Sequence, residues 1–232
     1  MNRPQRTFTP RVIVLMLFFI VVIPFLPLLV SWRWDWWEAW AYAAISILGF
    51  AISRALAARR HPDLLAERAR FMQQEDTKPW DKRLAPLLGL GGALVLLVAG
   101  LDRLWGWSPA FSGPLKLLAL ALILAGYALG SYALIANRFF SGTVRIQTER
   151  GHHVVSSGPY RWLRHPGYAG ALVAYLATPF FLDSAWAFLP TLFVMAVLVV
   201  RTALEDRTLQ AELAGYREYA GQVRYRLLPG VW

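Results

Sequence analysis

The sequence of 232 residues contains no cysteine. Disulfide cross-links, thiolate metal ligands and cysteine nucleophiles are therefore excluded together. Charge is also scarce: 16% of residues are Asp, Glu, Lys or Arg, against roughly a quarter in a typical soluble domain. The common chemical signatures are missing too. There is no HExxH pair, no serine nucleophile elbow and no carboxylate cluster with metal-ligand spacing. The run Gly89-Leu90-Gly91-Gly92 lacks the third glycine and the preceding strand of a dinucleotide loop, so it reads as helix packing. No fixed-period repeat and no low-complexity linker interrupts the chain.

What is present is apolar and aromatic. Hydrophobic residues make up 57% of the chain, with 11 Trp, and the mean hydropathy is +0.41. This composition excludes disorder and argues against a soluble globule. A span needs about 20 predominantly apolar residues, and residues 12–30, 36–57, 84–101 and 115–136 each supply one. Pro24 and Pro27 are expected to bend the second half of the first. The second is entered through Trp32, Trp34, Trp36, Trp37 and Trp40, the pattern of an interfacial aromatic belt. Residues 167–200 are interrupted by Asp183 and Ser184 between Pro179 and Pro190, which reads as two short helices in a tight hairpin. The expectation is an all-α, polytopic membrane bundle of six transmembrane helices, the last two forming that hairpin. One long bent helix with a re-entrant piece is the rival reading.

The charges sort accordingly. With a cytoplasmic N-terminus and six spans, residues 1–11, 54–83, 138–164 and 201–232 carry 21 of the 24 Lys and Arg, as the positive-inside rule requires. Arg33, Arg103 and Lys116 remain on the other side. The net charge of +10 then needs no nucleic acid to explain it, and the bilayer is the expected partner. The first apolar run follows Arg3, Arg6 and Arg11 as a secretory signal does. It is nevertheless too long for a typical signal core and has no small-residue cleavage site before Trp32, so it reads as a retained anchor. The expected setting is a bacterial inner membrane, with both termini and the active site cytoplasmic.

Two regions follow: residues 1–136, N-terminal helices with a connector at 58–83, and residues 137–232, which carry the chemistry. Pro62 and Pro79 bracket an expected amphipathic helix near residues 63–74. The favoured reading is a solvated connector on the headgroups; a lid over a site is the alternative. His61 reads as a surface residue. Gly126 and Gly130 form a small-residue pair suited to close helix contact. The densest block runs from His152 to Gly170, with paired histidines, Tyr160, Tyr168 and two arginines before a helix that Pro166 can start without losing a hydrogen bond. Beyond the hairpin, Arg201 and Glu205 share a helical face, and pairing with each other is the simpler reading.

These residues resemble the isoprenylcysteine carboxyl methyltransferases and related phospholipid methyltransferases, integral membrane enzymes that use S-adenosyl-L-methionine. The matching elements are His-x-x-Val at His152, Gly-x-Tyr at Gly158, and Arg-His-Pro-x-Tyr-x-Gly from Arg164. Arg-x-x-x-Glu-acidic follows at Arg201, then a Tyr-x-x-Tyr tail at Tyr216 and Tyr219. The resemblance covers residues 137–232. It implies cofactor contacts at His152, His153, Val154, Val155, Tyr160, His165, Pro166, Gly167, Tyr168 and Glu205, and a methyl-acceptor contact at Arg201. Glu205 suits the cofactor ammonium, His165 and the helix-start amides its carboxylate, and Tyr160 or Tyr168 its adenine. One departure is Arg145, where some of those enzymes carry a cofactor-binding Gln; Gln147 lies nearby.

The resemblance implies methylation of the carboxylate of an isoprenylcysteine-like, lipophilic or prenylated acceptor entering from lipid. Phospholipid amine N-methylation and small-thiol S-methylation are the runners-up. A transporter or assembly factor is the non-enzyme alternative, disfavoured because ionisable residues are nearly absent from the interiors of the expected spans. No metal is implied.

Overall fold

The computed structural model describes residues 14, 17–70 and 74–232. Arg3, Arg6, Arg11 and the beginning of the first expected span lie outside the described residues. Among those described there is helix but no strand. Helix α1 (Phe18–Ser31) is the shortest of the apolar rods. Its first half is a π turn at Phe18–Val22 and a 3-10 turn at Ile23–Phe25, and regular α geometry resumes at Leu26–Ser31. This irregularity falls where Pro24 and Pro27 cannot donate to the helical ladder.

Four helices are long and apolar enough to cross a membrane: α2 (Trp37–Arg60), α4 (Asp81–Trp105), α5 (Gly113–Ala136) and α7 (Phe188–Glu212). Their outward faces present Leu48, Ile52, Leu117, Leu118, Leu189 and Leu192, an apolar surface that only lipid can solvate without penalty. The chain is an integral membrane protein. Between α2 and α4 lies a short amphipathic helix, α3 (Pro62–Ala69), and α6 (Pro166–Phe181) precedes α7. Thus 167–200 does fold as two helices joined by a tight turn. The expected helix over 63–74 ends at Ala69, and residues 71–73 lie outside the described residues.

The bundle has two distinct ends. At one, the Asp183 carboxylate accepts from the Phe111 amide (2.7 Å) and from Lys116 (2.9 Å). Asp183 sits at φ +53° in the α6–α7 turn, and these two bonds hold a backbone conformation that a non-glycine residue adopts at a cost. Lys116 also pairs with Glu38 of α2. Asp102 of α4 accepts from the Ser108 hydroxyl and amide and from Ser184 (2.6 Å). Exposed Trp32, Trp34, Trp37, Trp40, Trp105, Trp107 and Trp186 ring this end, the position of an interfacial belt. Trp36 departs from the expected belt: it is buried beneath Arg103, whose guanidinium lies 5.3 Å from its ring.

The core between the ends joins α1, α2, α4, α5, α6 and α7 through Leu28, Val95, Ile123, Phe181 and Val194. Helices α5 and α6 touch backbone to backbone at Gly126 and Gly170, where a Cβ on either would run into the carbonyl oxygen of the other. A Cβ at Gly91 would lie 2.5 Å from Val194. Gly91, Gly126 and Gly170 are therefore contact points between helices, whereas a Cβ at Gly130 would meet nothing closer than 4.0 Å.

Candidate active site

The other end of the bundle gathers the start of α6, the end of α7, the segment leaving α5 and the start of α4. A loop over residues 137–157 crosses the gap, carrying a 3-10 turn at Thr148–Arg150, and a second turn at Gly158–Arg161 leads into α6. Helix α8 (Tyr216–Gln222) closes the far wall. Together they enclose a cavity of about 820 Å³, counting its open mouth. Of the residues singled out from sequence, His152, His153, Val154, Val155, Tyr160, His165, Gly167, Tyr168, Arg201 and Glu205 all line it. Pro166 does not; it is buried at the head of α6, where it begins the helix.

Each side chain is placed by an identifiable contact. The Tyr168 hydroxyl donates to Glu205 (2.6 Å), tying α6 to α7 across the hairpin. The His165 ring lies nearly parallel to that of Tyr168, with centroids 5.8 Å apart. Its Nε2 faces Asp206 Oδ1 at 3.3 Å, and the Tyr216 hydroxyl donates to the same oxygen (3.1 Å). Asp206 also binds Arg164 (3.0 Å), Arg226 (2.9 Å) and Gln210 (2.7 Å). This buried carboxylate is the hub that joins α6, α7, α8 and the C-terminal segment. Tyr219 donates to the Tyr160 carbonyl (2.7 Å), which fixes the turn preceding α6.

Aromatic rings form the opposite wall. The His152 and Phe139 rings are 4.5 Å apart, and His153 meets Phe139 edge-on at 4.9 Å. The Gln147 backbone amide donates to His152 Nδ1 (3.3 Å), while the Gln147 side chain is held by the Phe139 carbonyl (2.8 Å). Burial, reinforced by the charges of His153, Arg145 and Arg150, pushes His152 down to about 4, so it is neutral at physiological pH. Burial also raises the Tyr160 hydroxyl well above the usual phenol range.

Two expectations are corrected. Arg201 and Glu205 do not pair with each other. Arg201 instead forms a two-point ion pair with Asp81 at the start of α4 (2.6 and 3.0 Å) and donates to the Gly142 carbonyl (3.1 Å), while Glu205 takes the Tyr168 hydroxyl. Nor is the connector merely solvated on a headgroup surface. Glu67 on α3 is buried against Arg145, which also reaches Asp76 and Glu149. Asp63 binds Arg138 and Arg150, Lys78 binds Glu212, and the Lys78 amide donates to the Val144 carbonyl (3.0 Å). The connector therefore clasps the loop that forms the cavity wall. Arg145 is part of this clasp: burial works against its charge, but Glu149, Glu67 and Asp76 raise it further above the usual guanidinium range.

Asp81, Asp206, Glu67 and Phe139 were not singled out from sequence. Asp206 was legible only as the acidic residue after Glu205. The partner of Arg201 lies 120 positions away, beyond any local periodicity.

The fold and cavity define a polytopic helical membrane protein with a polar, partly open pocket at one end of the bundle. Comparison with known proteins agrees with this class and narrows it. Residues 118–211 match the isoprenylcysteine carboxyl methyltransferase family. A protein-S-isoprenylcysteine O-methyltransferase A of Arabidopsis thaliana is 35% identical over 98 residues, covering 41% of this chain and 46% of the relative. A probable enzyme of the same name from Oryza sativa subsp. indica is 35% identical over 60 residues, covering 25% and 31%. A Delta(14)-sterol reductase of Mus musculus is 34% identical over 95 residues, covering 40% and 23%. The chain thus spans less than half the length of these curated relatives.

Proposed function

We propose that this protein is an S-adenosyl-L-methionine-dependent membrane methyltransferase that O-methylates the carboxylate of an isoprenylcysteine-like, lipophilic acceptor, with its site on the cytoplasmic face. The observation that carries the reading is the meeting of two cavities. The polar cavity holds Glu205, Tyr168, His165 and Arg201. An apolar one of about 1410 Å³, counting its wide open side among α1, α2, α4, α5 and α6, shares Phe140 and Gly167 with it. A water-soluble cofactor and a lipid-borne acceptor would therefore reach one another from opposite sides.

The residues present fit the cofactor. In the polar cavity wall, Thr143 Oγ1 and Arg164 Nε are buried without a hydrogen-bond partner among the described residues, as a polar ligand would require. Glu205 would hold the ammonium, His165 and the first-turn amide of Gly167 the carboxylate, and the rings of His152, His153 and Tyr160 the adenine. Val154 and Val155 would supply apolar wall, and Pro166 the helix start. When bound, S-adenosyl-L-methionine supplies an electrophilic methyl group on a sulfonium sulfur.

The protein's task is then to orient and desolvate. A carboxylate is already ionised near neutral pH, so no residue need remove a proton. Arg201 would touch the acceptor through Nη1, since Asp81 and the Gly142 carbonyl occupy its Nε and Nη2. Holding the two reactants in line supplies much of the rate. An amine acceptor would instead need a base, and His165 Nε2 is turned toward Asp206 and Tyr216. This favours the carboxylate reading over N-methylation.

Calorimetry on the purified protein tests the cofactor. S-Adenosylhomocysteine should bind, and Glu205→Gln should weaken it by roughly tenfold or more, the loss of one charge-assisted contact. A parallel titration with a dihydronicotinamide probes the reductase alternative raised by the sterol relative. Binding of that compound with no binding of S-adenosylhomocysteine would refute the methyltransferase reading.

A further inference from the structure

The arginines around the polar cavity are already neutralised: Arg145, Arg164 and Arg201 each have a carboxylate partner. Two others near the site do not. Arg54 lies on α2, six residues before its end, in the wall of the apolar cavity. Its Nη1 donates to Ser53 Oγ (2.9 Å), and its guanidinium sits 4.1 Å from the centre of the Phe50 ring. Arg68 lies on α3, donates to the Phe140 carbonyl (3.1 Å) and covers the Phe140 ring at 5.4 Å. Among the described residues, neither has a carboxylate within ion-pair distance.

Phe140 is the partition between the two cavities. It lines both and packs so closely on Gly167 that a Cβ there would lie 2.8 Å from its ring. The charge of Arg68 bears on Arg54, and that of Arg201 bears on Arg68. Arg54 lines the apolar cavity and Arg201 the polar one, while Arg68 lines neither and sits on the Phe140 partition between them. Of the three, only Arg54 and Arg68 are uncompensated. A partly buried arginine beside hydrocarbon with no counter-ion is costly unless an anion visits it. Burial, with Arg201 contributing, lowers Arg68 to about 10, so it still carries its charge at neutral pH.

We propose that Arg54 and Arg68 recognise the carboxylate of the apolar-tailed acceptor as it passes from the membrane-side cavity to Arg201. This rests on the methyltransferase reading for its chemistry, although its test does not require the cofactor. A headgroup phosphate of a bound lipid offers similar charge, so the experiment separates the two.

The probes are N-acetyl-S-farnesylcysteine and its carboxamide, titrated into purified protein in neutral detergent without cofactor. The wild type should prefer the acid by at least tenfold, a preference that a surface arginine would not create. Arg54→Gln and Arg68→Gln should each remove most of it, while Arg54→Lys retains a substantial part. Affinity for S-adenosylhomocysteine, measured in parallel, should stay within twofold and shows that each variant is folded. Equal binding of acid and carboxamide by the wild type, binding of neither, or an unchanged preference in both Gln variants would overturn the proposal. So would variants that lose association with phosphatidylglycerol nanodiscs yet keep the acid preference, since these residues would then serve a headgroup. A wild type that prefers the acid but binds no S-adenosylhomocysteine would sink the methyltransferase reading alone.

Discussion

The Arg201–Asp81 pair offers the sharpest test of how the site is held together. Asp81 is fully buried, Arg201 is nearly so, and the carboxylate also accepts the Val144 amide at 2.7 Å. Changing Asp81 to Asn keeps the shape but leaves a buried guanidinium without its counter-ion, which costs about 3–5 kcal/mol where such pairs have been broken. For a chain of this size that corresponds to a fall in Tm of roughly 6–20 °C. The measurement is thermal unfolding in detergent of wild type, Asp81→Asn, Arg201→Gln and the double variant. Removing both charges should return most of the lost stability while methyl transfer stays absent, because the acceptor contact is gone. If Asp81→Asn shifts Tm by less than 2 °C, or the two substitutions simply add, the pair does not organise the site and the argument from burial fails.

Two further outcomes are expected. Gly126→Ala should destabilise the bundle by about 1–3 kcal/mol through overpacking against the Gly170 carbonyl. Gly130→Ala, whose added Cβ would meet nothing closer than 4.0 Å, should be neutral or slightly stabilising, and denaturation of the two variants side by side checks the difference. His152 is held neutral in the fold, with its pKa lowered from 6.5 to about 4. Its contribution is therefore intact above pH 6.5 and declines as pH falls from 6.5 toward 4. The loss is about 2 kcal/mol after allowing for the ring's partial exposure. His152→Phe should flatten the stability profile in that window, and an unchanged slope would show that another group titrates.

What was legible in the sequence follows from which forces are local. Apolar runs longer than a bilayer is thick identify their helices whatever the partners, and α2, α4, α5 and α7 fall where expected. The hairpin was legible because Asp183 and Ser184 break an apolar run between two prolines, and a turn there has few alternatives. The site residues were legible as a block because the loop, the turn and the start of α6 are consecutive. Pairings across helices were not. Arg201 and Glu205 are ideally spaced to pair, yet Asp81 and Tyr168 take them, because the start of α4 and the first turn of α6 press on the same face of α7. Trp36 has the same sequence context as Trp37 but points inward. The connector carries the composition of a solvated strand of chain, and only the positions of its distant partners, Arg138, Arg145, Arg150 and Glu212, turn it into a clasp.

The ties at the tryptophan-ringed end have a mechanical consequence. Lys116 and Asp102 anchor the α6–α7 turn to α2, α4 and α5, so the two helices resemble the tines of a fork whose handle is bolted down. Spreading them from that end would break several desolvated polar bonds at once. Spreading them is easier at the tips, where the outermost fastenings, Lys78–Glu212 and Arg226–Asp206, are partly open to water. Opening and closing there should respond to ionic strength, whereas the bolted end should be indifferent to it.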